Sequence, residues 1–546
     1  MPNPFIRVAA AWLSHPVELA RAWQELATVT LVSQQAAASQ LSGGAPSPLG
    51  EAVEGDDRFS DQAWHGNLFY HALMQHYLAL TRTMERLVYD TPGVDKADSR
   101  SAAFWLRHWC NAMAPSNFLL TNPEALRRAF DTGGDSLRHG LDEWRRDLLA
   151  GDLRMADSAP FELGSNLAAT PGKVVLRNEL IELIHYTPVC EQVHAIPLVF
   201  VPPWINKYYI LDLGEQKSMV RHLVAQGYDV FMISWRNPGA AMADVTFEDH
   251  LFDGILAALK AAGEIAGVPQ VHAVGYCIGG TALATLMAWL NRHHRAARDI
   301  PVAHWSLLAT LTDFSSPGDI ASFINEESVA MLDEVMARQG FLDAMQIGWS
   351  FRMLRPNTQI WRYIVHKYLM GEPVPALAPL SWNADGTRQP RATHTFCLHK
   401  LYMENRLARR DGLDLRGHGI DLGRIRQPAY VVGAVADHIT PWRSTYASAA
   451  LLGGPVRYVL GSSGHILGIV NPPGSTPNQQ FWAGELIAGR NAKEWLALQT
   501  VAKGSWWDDW NAWLADRCGP QRPAVNQPHP HYPWLDDAPG RYVREH

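Results

Sequence analysis

Cysteine is scarce in this sequence: five in 546 residues, at Cys110, Cys190, Cys277, Cys397 and Cys518. They are scattered, odd in number and nowhere spaced C-x-x-C. That argues against a disulfide framework or a zinc site, and fits a reducing cytoplasm. Long apolar runs are missing as well, and no stretch reaches the roughly 18 residues that a membrane span needs. The early apolar patch in MPNPFIRVAAAWLSHPVELARAW is broken by His15 and Pro16 and lacks a strongly basic start, so no signal peptide is expected. Basic runs are absent, and a formal net charge of −7 leaves no electrostatic footprint for nucleic acid. No internal repeat is visible.

What is present is hydrophobic bulk. At 47% hydrophobic content the chain can bury a large core, and its length suggests two or three domains. Residues 5–38 carry apolar groups at roughly helical spacing. SQLSGGAPSPLGEAVEGDD (39–57) then reads as a flexible linker, so the N-terminal helix is expected to be only loosely attached. NLFYHALMQHYLALTRTMERLVY has helical periodicity, and NPEALRRAF opens with an Asn cap and Pro at the first helical position. The reading is a variable helix and linker over 1–60, an all-helical N-terminal domain over 61–185, and a catalytic domain over 186–546.

In the last of these, short β-rich runs alternate with helices: IPLVFVPP, YDVFMISW, VHAVGY, VAHWSLLAT, PAYVVGAV and PVRYVLG. This alternation predicts a parallel α/β sheet. Thr246 is the expected cap of the long helix before VHAVGY. More than a hundred residues separate the fourth strand from the fifth, and an insertion at about 312–425 is expected to form a cap or lid. WWDDWNAWL (506–514) reads as a helix packing tryptophans into the core.

VHAVGY runs into GYCIGG and then an apolar helical stretch. Strand, sharp turn, helix is the context of the G-x-S-x-G nucleophile elbow, with Cys277 in the place of serine. At a helix N-terminus the thiolate is favoured. The backbone N–H of Ile278 is the expected first oxyanion donor, with a second from the loop after IPLVFV near Trp204 and Ile205. The expected chain order is nucleophile, acid, histidine. ADHITPW after the fifth strand offers Asp437, and SSGHILG after the sixth offers His465. His438 competes as base from the acid's own loop, and Asp212 is a further, weaker substrate-binding candidate beside a helix-cap reading. The fold expectation is an α/β-hydrolase fold with a cap/lid insertion, preceded by the all-helical domain.

With these residues placed, longer words stand out: VPPWINKYYILDL, SWRNP, GYCIGGT, TDFSSPGDI, ADHITPW, GSSGHILGIVNPP, GSWWDDW and the terminal PGRYV. On them the chain resembles the poly(3-hydroxyalkanoate) synthases, bacterial enzymes that polymerise 3-hydroxyacyl-CoA into polyester. The C-I-G-G elbow and GSWW segment are similar to class I, which implies short 3-hydroxyacyl substrates. Trp204 departs from the smaller or sulfur residues common in relatives, which bears on the pocket beside the oxyanion loop. The resemblance implies Cys277, Asp437 and His465 as catalytic residues and a homodimer. It also implies cytoplasmic polymer granules with their coat proteins as partners, and no cofactor, the CoA thioester being substrate. A thiol suits this chemistry, because acyl transfer from CoA to Cys277 exchanges one thioester for another and keeps the acyl group activated. A cysteine-dependent α/β hydrolase or thioesterase, or a non-catalytic granule-binding relative, stays open at this point.

Overall fold

The computed structural model describes residues 4–42, 56–294 and 296–546. Residues 43–55 of the expected linker lie outside the described residues. The chain divides into two compact units, Met1–Asp157 with Trp349–Pro375, and Ser158–Gly348 with Ala376–His546.

The first unit is helical. Its main helices are α1 (Pro4–Ser14), α2 (Pro16–Leu41), α3 (Leu68–Tyr89), α4 (Lys96–Ala112), α5 (Pro123–Asp131) and α6 (Asp135–Ala150). Proline begins α1, α2 and α5, where its missing N–H costs nothing. Asn67, Asp95 and Asn122 cap α3, α4 and α5 through their side chains. The N-terminal helices are not loose. Trp12, Leu19, Ala22 and Leu26 line an apolar groove with Met84, Leu87, Val88 and Leu106. The ion pairs Arg7–Asp98 and Arg86–Glu25 join the same helices. Residues 349–375, expected to belong to the cap insertion, fold with this unit instead. Lys367, 2% exposed, is paired with Asp147, and Tyr368 donates its hydroxyl to the same carboxylate at 2.6 Å.

The second unit is built on a sheet. Its strands are β1 (Gly172–Arg177), β2 (Ile181–Tyr186), β3 (Leu198–Val201), β4 (Val230–Trp235), β5 (Val271–Tyr276), β6 (Val302–Leu308), β7 (Ala429–Ala434), β8 (Val456–Gly461), β9 (Gln480–Glu485), β10 (Ala502–Lys503) and β11 (Asp536–Asp537). They lie in the order β10-β9-β8-β7-β6-β5-β3-β4-β2-β1-β11. From β8 to β4 every neighbour is parallel, and the strands beyond them on both sides are antiparallel. The central strands are buried along almost their whole length, which is why they read as near-continuous apolar runs. Helices α7 (Ala257–Ala266), α8 (Ile278–His293) and α9 (Trp506–Ala515) pack on them. The stretch leading into α7 is capped by Thr246 in a capping box with Asp249.

The hairpin of β1 and β2 corrects the domain boundary. The sheet unit begins at Ser158, not 186, because KVVLRNELIELIHY folds back at Asn178. The Asn178 side chain accepts the N–H groups of Leu180 and Ile181, both at 2.9 Å. Buried Glu182 of β2 then accepts the N–H groups of Arg541 and Tyr542, tying the terminal PGRYV to this edge.

Candidate active site

Strands β5, β7 and β8 each deliver one residue at their C-terminal ends. At the end of β5, Gly275 and Tyr276 stand opposite Leu307 and Leu308 of β6. The chain then reverses at Cys277, whose φ of 51° and ψ of −125° are unusual for a residue with a Cβ, and α8 starts at Ile278. The Cys277 N–H donates to the Leu308 carbonyl at 2.9 Å, which pins the turn. Small residues are mandatory beside it. A Cβ on Gly275 would stand 2.5 Å from the Gly280 Cα, and one on Gly279 would strike the carbonyls of Val201 and Pro202. The elbow therefore sits directly against the loop that follows β3.

Asp437 follows β7 and His465 follows β8. His465 Nδ1 lies 2.7 Å from Asp437 Oδ2, and the ring lies near enough to Cys277 for the sulfur to bear on its charge. Asp437 is held hard: Oδ1 accepts the N–H groups of Ile439 and Thr440 at 2.8 Å each, and Oδ2 accepts the Thr440 hydroxyl at 2.7 Å. Its side chain has 0% exposure. Burial would raise the carboxyl, but the charge of His465 and these hydrogen bonds outweigh it and hold Asp437 below its ordinary value. Burial likewise opposes a charged His465. Asp437 first, then Cys277, override it and raise the imidazole to about 10. The site favours an imidazolium between a carboxylate and a sulfur. Of the two histidines weighed as base, His465 is the one seen paired with Asp437.

The remaining sequence candidates separate. The N–H groups of Ile278 and Ile205 donate to no protein group among the described residues. The Trp204 side chain is buried. It is 5% exposed and packs on Trp235, Phe247 and His250. Asp212 is corrected to a structural residue. It is 2% exposed and accepts the hydroxyls of Thr170 at 2.6 Å and Ser218 at 2.7 Å. The helix-cap alternative comes closer, since Asp212 closes the short 3-10 turn Tyr208–Leu211.

Sequence reasoning missed three contributors. Thr440 shares Asp437 and stands 3.2 Å from His465 Nδ1; its place three residues after the acid was the available signal. The Tyr276 hydroxyl holds the His465 carbonyl at 3.1 Å. Tyr402, from the insertion, is half-buried near enough to Cys277 for a charge there to add to burial in raising its phenol, and no local pattern marked it.

The fold and this cluster define an α/β-hydrolase-fold protein with cysteine at the elbow, and residues 196–472 match the family described as alpha/beta hydrolase fold. Residues 55–223 match the family described as Poly-beta-hydroxybutyrate polymerase (PhaC) N-terminus. The chain is 38% identical to a poly(3-hydroxyalkanoate) polymerase of Methylorubrum extorquens, over 100% of this chain and 90% of that protein. It is 40% identical to the poly(3-hydroxyalkanoate) polymerase subunit PhaC of Cupriavidus necator, over 90% of this chain and 83% of that one. Among solved structures, a monoacylglycerol lipase of Paleococcus ferrophilus covers 52% of this chain and 88% of its own, at 13% identity and a TM-score of 0.31, a loose likeness on which nothing rests. The chain belongs to the poly(3-hydroxyalkanoate) polymerase family of transferases.

Proposed function

We propose that this chain polymerises short-chain (R)-3-hydroxyacyl-CoA, 3-hydroxybutyryl-CoA being the type substrate, into polyester with release of CoA, and that Cys277 carries the acyl group. The observation that carries the reading is the buried His465–Asp437 pair at 2.7 Å, which stabilises a charged imidazole in the neighbourhood of the Cys277 elbow. The names of the curated relatives support the polymerisation.

In the first half-reaction the Cys277 sulfur attacks the thioester carbonyl. The carbonyl oxygen becomes an oxyanion facing the N–H groups of Ile278 and Ile205. The C–S bond to CoA breaks, and the leaving thiolate takes the proton held by His465. In the second, a 3-hydroxyl attacks an acyl-thioester carbonyl, loses its proton to the now neutral His465, and an ester bond replaces a thioester. Asp437 is the poorer candidate for direct contact with that hydroxyl, since both of its oxygens are occupied and its side chain is wholly covered. Its part in elongation runs through His465.

The homodimeric state and the association with polymer granules and their coat proteins belong to this proposal on the strength of the resemblance. No helix among the described residues is long and apolar enough to cross a membrane. The test is incubation with 3-hydroxybutyryl-CoA, following CoA and product. CoA with insoluble polyester supports the reading. CoA with free 3-hydroxybutyrate would make the chain a hydrolase, and no CoA release would make it a binder.

A further inference from the structure

The loop after β3 is fastened to one short segment of the insertion, residues 382–389. The Trp382 indole donates to the Lys207 carbonyl at 2.7 Å. Lys207, only 5% exposed, is paired with Asp385 at 2.7 Å, and the Tyr209 hydroxyl donates to the same carboxylate at 2.8 Å. Asn206 and Gly386 form a bridge between the two backbones. The two contacts that matter most fall on a single atom. The Trp204 carbonyl oxygen accepts the Thr387 hydroxyl at 2.6 Å and the Gln389 side-chain amide at 3.1 Å. Thr387 is 4% exposed and Gln389 1%, so neither bond competes with water.

The Trp204 carbonyl and the Ile205 N–H are two ends of one peptide group. That group is planar and, since the one cis bond among the described residues is Ala538–Pro539, it is trans. Fixing the oxygen therefore fixes the direction of the N–H, which points the opposite way, off the Thr387 and Gln389 side. Two donors on the oxygen also draw electron density through the amide and make its N–H a stronger donor. A loop peptide with an unheld carbonyl could rotate about its flanking dihedrals and lose that aim.

We propose that Thr387 and Gln389 are positioning residues for acyl transfer: by gripping the Trp204 carbonyl they aim and polarise the Ile205 N–H at the developing oxyanion. The inference rests on the reading of Ile205 as an oxyanion donor to an acyl group on Cys277. It makes a segment of the insertion part of the catalytic apparatus without that segment touching substrate. It also accounts for polar side chains at 387 and 389 in a place where burial would otherwise favour apolar ones.

The test uses the full chain with labelled 3-hydroxybutyryl-CoA in rapid quench. Removing an oxyanion donor costs about 10²- to 10³-fold in rate, and a misaimed donor keeps part of its value. Thr387→Val, which preserves shape, should slow the CoA burst by about tenfold or more. KM should change little, and the pH profile of the burst should stay in place, because His465 and Asp437 are untouched. Thr387→Ser should restore the burst to within about threefold, and Gln389→Met added to Thr387→Val should cost less than the two single losses combined. A Thr387→Val burst within about threefold of the parent's overturns the proposal. So does a loss that Thr387→Ser fails to rescue, or one that appears only as lowered thermal stability. The underlying reading is checked separately: the parent must show a burst and Cys277→Ala must lose it. Failure there removes the reading itself, whereas an intact burst with an indifferent Thr387→Val removes only the positioning role.

Discussion

Asp437 is the residue whose role the geometry narrows most. Four donors converge on its carboxylate, none of them substrate. In the proposed reaction its effect therefore passes through the His465 ring, whose charged form it stabilises. The two half-reactions need that help unequally. A thiol at the start of α8 is already a good nucleophile, while a 3-hydroxyl has a high pKa and needs a base in the transition state. Asp437→Asn is expected to release about one burst of CoA per chain and then elongate some 10²- to 10⁴-fold more slowly. Equal loss of burst and steady state in rapid-quench experiments would mean that acylation depends on Asp437 just as heavily. The placement of Cys277, Asp437 and His465 was legible in sequence because each sits in a short loop after a strand, and because small residues bracket the elbow. Thr440 and Tyr276 were not. A hydroxyl three residues from an acid is usually an ordinary turn, and the last residue of a strand is usually core.

At the scale of elements, the six central parallel strands were readable because burial on both faces makes them unbroken apolar runs. The antiparallel edge was not. β1 and β2 carry Lys173, Arg177, Glu182 and His185 among their apolar residues, and partners that excuse these polar groups lie far along the chain: Asp536 for Arg177, Asp537 for Lys173 and Asp229 for His185. The tryptophan helix α9 does fill the core. Trp506, Trp507 and Trp510 are at most 3% exposed. Its indoles also do something composition could not reveal. Trp506 and Trp507 donate to the carbonyls of Gly468 and Ile469 at 2.8 and 2.9 Å, bracing the segment just after His465. Trp507→Phe leaves the Ile469 carbonyl without that donor, at a cost of about 1–3 kcal/mol. A lower urea midpoint with an unchanged m-value is the expected signature, and an unmoved midpoint would show that another donor takes over.

For the whole molecule, two results are expected. Deleting residues 1–60 removes α1 and α2 from the apolar faces of Met84, Leu87, Val88 and Leu106. The truncated chain should still release CoA, because no site residue is lost, but with lower solubility and thermal stability. Loss of CoA release in a folded truncated chain would contradict this. The second concerns pH. His272 and His304 face each other across β5 and β6, and burial drives both below the ordinary 6.5, His304 to about 4. Between 6.5 and about 4 the unfolded chain binds more protons than the folded one, so stability is full above that window and falls as pH drops through it. The His304 share of the loss at pH 5 is about 2 kcal/mol. Urea unfolding at pH 7.5 and pH 5 should show it, and His304→Asn should narrow the gap between the two. An equal gap in both proteins would place the acid sensitivity elsewhere.

The central claim is that the growing chemistry passes through a thioester on Cys277. It is tested most directly by quenching the full-length protein within its first turnover of 3-hydroxybutyryl-CoA and locating the adduct by peptide mass spectrometry. The account predicts the mass of a 3-hydroxybutyryl group on the peptide that contains Cys277, labile to hydroxylamine as a thioester is, absent in Cys277→Ala, and formed in step with CoA release. An adduct on a different residue, or CoA release and polymer formation with Cys277 unmodified at every quench time, would contradict it.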